Sequence, residues 1–284
     1  MRFGVHVGIG GGLRKAVDEA VAAGCDCIQI FAGNPRGWRT TPYDASSWQE
    51  FARLRAERGI WPTVIHTSYL INLASSNRSL QSKSAKLVAH DLDVAARGGI
   101  EYVNTHLGSY GAQDRHKGFE RACDTIRRLT ADAAPGPMLL LENSAGAGNL
   151  CGGTLEELGA LLDRIDSPGI GVCIDTAHAW ASGYDISDAA GVRAFLKELG
   201  RRIGFKRLRV LHLNDTEIAL GGKRDRHWHV GRGLIGDAGF RALLRSPQLA
   251  HVAVICETPK TPELDRANVR AARRLAGASR AKAK

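Results

Sequence analysis

The sequence predicts an α/β chain closed as a (β/α)8 barrel. Three observations carry this. Eight short apolar, β-branched runs recur along 284 residues, amphipathic segments of helical period lie between them, and six consecutive runs finish at or near a histidine or carboxylate. Strands alternating with helices predict parallel pairing through right-handed crossovers. Eight such units close most economically as one barrel at this length. An open doubly wound sheet is the alternative. It would call for a GxGxxG turn after the first strand, but VGIGGGL (7–13) has no acidic partner at the required distance.

Each element has its own signal. RFGVHV (2–7) opens as a strand. LRKAVDEAVAAG (13–24) has apolar residues at helical spacing and a glycine stop. CDCIQI (25–30) is the second strand and SWQEFARLRAERG (47–59) the next helix. PTVIH (62–66) leads into an amphipathic run from Ser79 to Gly98. YVNTH (102–106) and MLLLE (138–142) follow, and TLEELGALLDRI (154–165) is the helix after the fifth strand. GVCID (171–175), RVLHL (209–213) and VAVICE (252–257) are the last strands, closed by the helix ELDRANVRAARRLAG (263–277). One barrel domain over 1–277 and a basic tail over 278–284 are expected.

Lys and Arg number 39 against 29 Asp and Glu, a net charge of +10. That balance suits a polyanionic partner such as nucleic acid, or a basic surface kept for solubility. Six cysteines, at 25, 27, 123, 151, 173 and 256, form no CxxC pair, so neither a zinc ribbon nor a disulfide framework is expected and a reducing cytosol is. MRFGVHVG is too short and polar for a signal peptide, and no run approaches the roughly 18 apolar residues of a membrane span.

The strand ends carry the chemistry. His66, His106, Glu142, Asp175 and Glu257 end their runs, and His212 stands near the end of its own. In a barrel these ends meet at the C-terminal rim, where active sites sit. A single strand histidine is more often a satisfied core residue; six coincidences are hard to read that way. Buried unpaired carboxylates are costly, so cations are expected among them. His178 follows Asp175 in IDTAH, and Asp225 and His227 form D-x-H within KRDRHWHVGRG (223–233). Imidazoles and carboxylates together suit Zn, Mn or Fe. Five histidines and four carboxylates imply more than one ion, and Glu142, mid-order among the strand ends, is the expected bridge. His6 is expected as a core or supporting group, His90 on a helix, His116 and His251 at the surface, and His229 in a supporting or phosphate-contacting place.

Taken together, NPRGWR (34–39), HTSYLINLAS (66–75), NTHLGS (104–109), LENSAG (141–146), GVCIDTAHAWASGYD (171–185), HLND (212–215) and DRHWHVGRGLIG (225–236) resemble the endonuclease IV family of abasic-site nucleases. The resemblance runs along nearly the whole chain. It implies a TIM barrel with three zinc ions, with manganese substitution possible. One zinc falls to His66, His106 and Glu142, a second to Glu142, Asp175, His212 and Glu257, and a third to His178, Asp225 and His227. It implies hydrolysis of duplex DNA 5′ to an abasic site, leaving a 3′-hydroxyl and a 5′-deoxyribose phosphate, with Glu142 as the catalytic bridge. Arg36, Tyr69 and Leu70 would enter the DNA at the lesion; without the resemblance they read as loop packing and a solvated cation. Lys223, Arg224, Arg226 and Arg232 become candidates for phosphate contacts. A monomer in the cytoplasm, associated with the nucleoid through DNA, is expected. One departure is Thr216-Glu217 after HLND, where many relatives carry Ser-Lys; it removes a cation and a potential phosphate contact. The rival reading is a sugar isomerase or epimerase, which has no use for the D-x-H loop or NPRGWR. A binder that has lost cleavage would be expected to have lost a ligand.

Overall fold

Eight parallel strands close on themselves in chain order: β1 (Arg2–His6), β2 (Cys27–Phe31), β3 (Thr63–His66), β4 (Tyr102–Thr105), β5 (Met138–Glu142), β6 (Ile170–Asp175), β7 (Leu208–His212) and β8 (Ala253–Cys256), with β8 returning to β1. The computed structural model describes residues 1–40, 43–131 and 136–278. Residues 279–284 of the expected tail lie outside the described residues. Around the barrel run α1 (Leu13–Ala23), α2 (Ala45–Glu57), α3 (Arg78–Arg97), α4 (Arg115–Leu129), α5 (Leu155–Ile165), α6 (Thr176–Ala181), α7 (Ala189–Arg202), α8 (Gly236–Leu244) and α9 (Pro262–Ala276).

The helices start where side chains satisfy their first amides. Asp44, Asn77, Asp114, Thr154, Asp188 and Thr261 each accept from a backbone N–H in the first turn of α2, α3, α4, α5, α7 and α9. Gly24 ends α1 in the left-handed conformation, which costs a glycine nothing sterically. Four helices, α4 and α6 to α8, are additional to those expected from the sequence, although Val192, Phe195, Leu196 and Leu199 of α7 are buried at helical spacing. α4 is crowded with charge, α6 is too short for periodicity, and α8 begins on a glycine without a side-chain cap. The second strand starts two residues later than its pattern predicts. Cys25 and Asp26 belong to the turn, where Asp26 accepts from the Phe3 amide and pairs with Arg273 at 2.6 Å.

Two layers of packing place the site. Cys27, Val64, Leu140, Cys173, Val210 and Ile255 fill the lumen as one buried cluster. Side chains alternate faces along a strand, so the residue two positions on points the same way, one step nearer the rim. Those residues are Gln29, His66, Glu142, Asp175, His212 and Glu257. An apolar plug, whose Val, Leu and Ile members are each worth roughly 1.5–3 kcal/mol of burial, is therefore the floor on which a polar layer stands. All six cysteines are free. No helix among the described residues is long and apolar enough to cross a membrane.

Candidate metal centre

Local folding aims each side chain. Asp175 ends β6 and caps α6: one carboxylate oxygen accepts from the His178 amide at 2.9 Å, while the other accepts from Asn214 Nδ2 at 2.7 Å. That cap turns His178 back over the barrel mouth. Asp225 and His227 arrive on the long β7–α8 loop. Asp215, fully buried, anchors this loop by accepting from the amides of Thr216, Gly233, Ile235 and Gly236, and its backbone pairs with Trp228. At Gly233 a Cβ would stand 2.4 Å from the Thr216 carbonyl oxygen, so only glycine lets the loop close there. Asp215→Ala would strand buried amides, and is expected to cost about 3 kcal/mol or more in urea denaturation; a cost under about 1 kcal/mol would mean that the loop is held elsewhere.

The candidate donor atoms converge. His66 Nε2 and His106 Nε2 lie 3.3 and 3.7 Å from Glu142 Oε2. His212 Nδ1 lies 3.0 Å from Glu142 Oε1, 3.0 Å from Glu257 Oε2 and 3.8 Å from Asp175 Oδ2. His178 Nε2 and His227 Nε2 each stand 3.2 Å from Asp225 Oδ1, and His227 Nε2 stands 3.4 Å from Asp175 Oδ2. Ligands bound tetrahedrally at about 2.0–2.1 Å stand roughly 3.3 Å from one another, so this spacing fits donors around a small cation. His178 Nε2 and His227 Nε2 are buried and make no hydrogen bond. Their opposite nitrogens are occupied: Nδ1 of His66, His178 and His227 meets the carbonyl oxygens of Thr67, Asn143 and Glu257. Such anchoring leaves Nε2 free to ligate. Buried clusters of His, Asp and Glu here could hold metal ions.

The carboxylates and imidazoles shift one another's protonation. Burial opposes charge on His178, but Asp175 and then Asp225 outweigh it and push the imidazole up to about 10. His227 rises to about 9 against the same burial, chiefly through Asp175. Glu142 is held well below the usual carboxylate range despite burial, by His106 and His212 first. Both raised imidazoles hold their protons at pH 7.5 and must lose them to ligate. Metal loading at that pH is expected to release protons, and apparent affinity to climb as pH rises toward 9. Titration calorimetry in two buffers of different ionisation enthalpy checks this; a heat independent of buffer would contradict it.

The rim around these groups is basic and open. A cleft of about 420 Å³ is lined by His66, Tyr69, His106, His178, Asp225, His227 and Trp228, among others. Tyr69 is 56% exposed and its ring packs edge-on to Phe31. Leu70 is half-buried beside it, and Arg36, Lys223, Arg224, Arg226 and Arg232 are exposed. His229 turns away, buried against Asn268. The sequence reading passed over Gln29, Asn104 and Asn214. Asn104 Nδ2 donates to Glu142 Oε2 at 2.6 Å, and Asn214 holds Asp175 and the Glu257 amide. Gln29 and Asn104 are polar amides on strands otherwise buried on both sides, whereas Asn214 lies just past β7.

The family described as xylose isomerase-like TIM barrel matches residues 17–278. The chain is 42% identical over 278 residues to a probable endonuclease 4 of Methanoculleus marisnigri, covering 97% of this chain and 99% of that one. Its fold superposes on the crystal structure of endonuclease IV from Thermus thermophilus with a TM-score of 0.86 and 38% identity, covering 97% of this chain and 98% of the other. It also superposes on a D-tagatose 3-epimerase-like protein with a TM-score of 0.72, covering 98% of each chain; at 18% identity that likeness is one of fold alone.

Proposed function

Since the chain belongs to the endonuclease IV family of xylose isomerase-like TIM barrels, we propose that it is a metal-dependent endonuclease that incises duplex DNA 5′ to an abasic site, leaving a 3′-hydroxyl and a 5′-deoxyribose phosphate. The observation that carries the reading is the convergence of five imidazoles and four carboxylates at the barrel mouth, at spacings that suit three cations.

His66, His106 and Glu142 would hold the first cation; Glu142, Asp175, His212 and Glu257 the second; His178, Asp225 and His227 the third. Zinc suits this mixed nitrogen and oxygen set, and manganese can substitute. Bound there, the cations supply Lewis acidity, charge neutralisation and a nucleophilic oxygen at neutral pH. Glu142 turns one oxygen to His66 and His106 and the other to His212, which supports its reading as a ligand that would be shared by two cations. The nearby carbonyls and carboxamides keep the imidazoles and carboxylates aimed before substrate arrives, so little reorganisation is needed during reaction.

Substrate must leave the stack to reach the mouth, and a missing base lowers that cost. Tyr69 and Leu70 would fill the vacated space with Arg36 alongside, supporting a bend. Lys223, Arg224, Arg226 and Arg232 would meet phosphates, so binding should weaken steeply with salt. The enzyme would act as a monomer in the cytoplasm, on nucleoid DNA. The test is metal-replete protein on a duplex with one tetrahydrofuran abasic analogue. Incision 5′ to the analogue, abolished by a chelator and absent from intact duplex, is expected. Failure to incise, with turnover of a keto-sugar instead, would promote the epimerase reading.

A further inference from the structure

We propose that Gln29 is a positioning residue: it sets which ring nitrogen of His212 faces the cations, and ties His212 and Glu257 into one unit. Gln29 lies on β2 in the lumen and is fully buried. Its Nε2 donates to Glu257 Oε1 at 2.5 Å and stands 3.0 Å from His6 Nδ1. Its Oε1 stands 2.8 Å from His212 Nε2. Turning the amide over would set its carbonyl oxygen against the Glu257 carboxylate, acceptor against acceptor. The orientation is therefore decided by Glu257. With Oε1 held toward His212, His212 Nε2 must carry a hydrogen, whatever the state of Nδ1. The lone pair available to a cation is then on Nδ1, the atom 3.0 Å from both Glu142 Oε1 and Glu257 Oε2.

This differs from the neighbouring imidazoles. His66, His178 and His227 are anchored through Nδ1 by backbone carbonyls, which no substitution removes. His212 presents the opposite nitrogen and depends on a side chain for it. The same amide holds Glu257, so one residue of β2 orients groups from β7 and β8, two of the four proposed around the second cation. His6 completes the chain: its Nδ1 accepts from Gln29, and its ring packs on Phe31.

The inference rests on the metal-site reading above, and the experiment separates the two. Wild-type protein and Gln29→Leu are loaded with zinc, counted by elemental analysis, and challenged with a chromogenic chelator. In Gln29→Leu one ion is expected to be bound about 10–100-fold more weakly, as loss of an orienting partner typically produces, and to be released to the chelator ahead of the others, which behave as in wild type. Unchanged release of every ion from a folded variant overturns the proposal; wild type that binds no zinc overturns the metal-site reading beneath it. The zinc-loaded wild type gives a second readout that needs no variant. In ¹⁵N-histidine NMR, His212 is expected as the Nε2–H form with Nδ1 coordinated. An Nδ1–H form coordinated through Nε2 overturns the proposal.

Discussion

Glu142→Gln is expected to reduce incision of abasic duplex by about 10³-fold or more, on the order of 4 kcal/mol of transition-state stabilisation. Glu142 is buried, and its two oxygens face different donor groups, His66 and His106 on one side and His212 on the other. Glutamine keeps the volume but turns one oxygen into an NH₂ that cannot ligate. Asn104 Nδ2, which donates to Oε2, favours keeping an oxygen on that side and would turn the NH₂ toward His212. Fold should survive, because the swap conserves shape. Far-UV circular dichroism should match wild type, while steady-state kinetics on the tetrahydrofuran duplex show the loss. Activity within about tenfold of wild type would remove Glu142 from the bridging role.

His227→Ala is expected to lower incision by about 10²-fold or more and to lose one metal per chain. Its Nε2 lies 3.2 Å from Asp225 Oδ1 and is buried without a hydrogen bond, so truncation removes one imidazole from the group it forms with His178, Asp225 and Asp175. His229→Ala, two residues on, is the contrast. That ring is buried against Asn268 and Trp228, so its loss should lower thermal stability and leave metal content unchanged. If the two variants lose metal equally, the third position is not built from His227.

The barrel was legible because its strands are short apolar runs that stop on polar residues, a pattern with few other causes. His66, Glu142, Asp175 and Glu257 announce themselves by standing where an apolar strand should simply end. Asp225 and His227 are spaced for chelation, but their approach to His178 depends on Asp215 folding the loop back, and nothing local in HLND states which amides Asp215 will collect. Gln29 was hidden differently. CDCIQI reads as a buried strand interrupted by Asp26 and Gln29, and only the two-residue step from Cys27 in the lumen places Gln29 under His212 and Glu257. Asn104 on β4 was hidden in the same way, and Asn214, just past β7, carries no charge and no spacing rule. α6 was missed because six residues cannot show a helical period, although its Asp175 cap is what delivers His178.

Nine side chains gathered around three cations are the centre of the proposed chemistry. Elemental analysis of protein purified without chelator, then reloaded and desalted, tests this most directly. About three ions per chain are expected, with zinc predominating. A value that stays at one per chain after reloading would contradict the assignment.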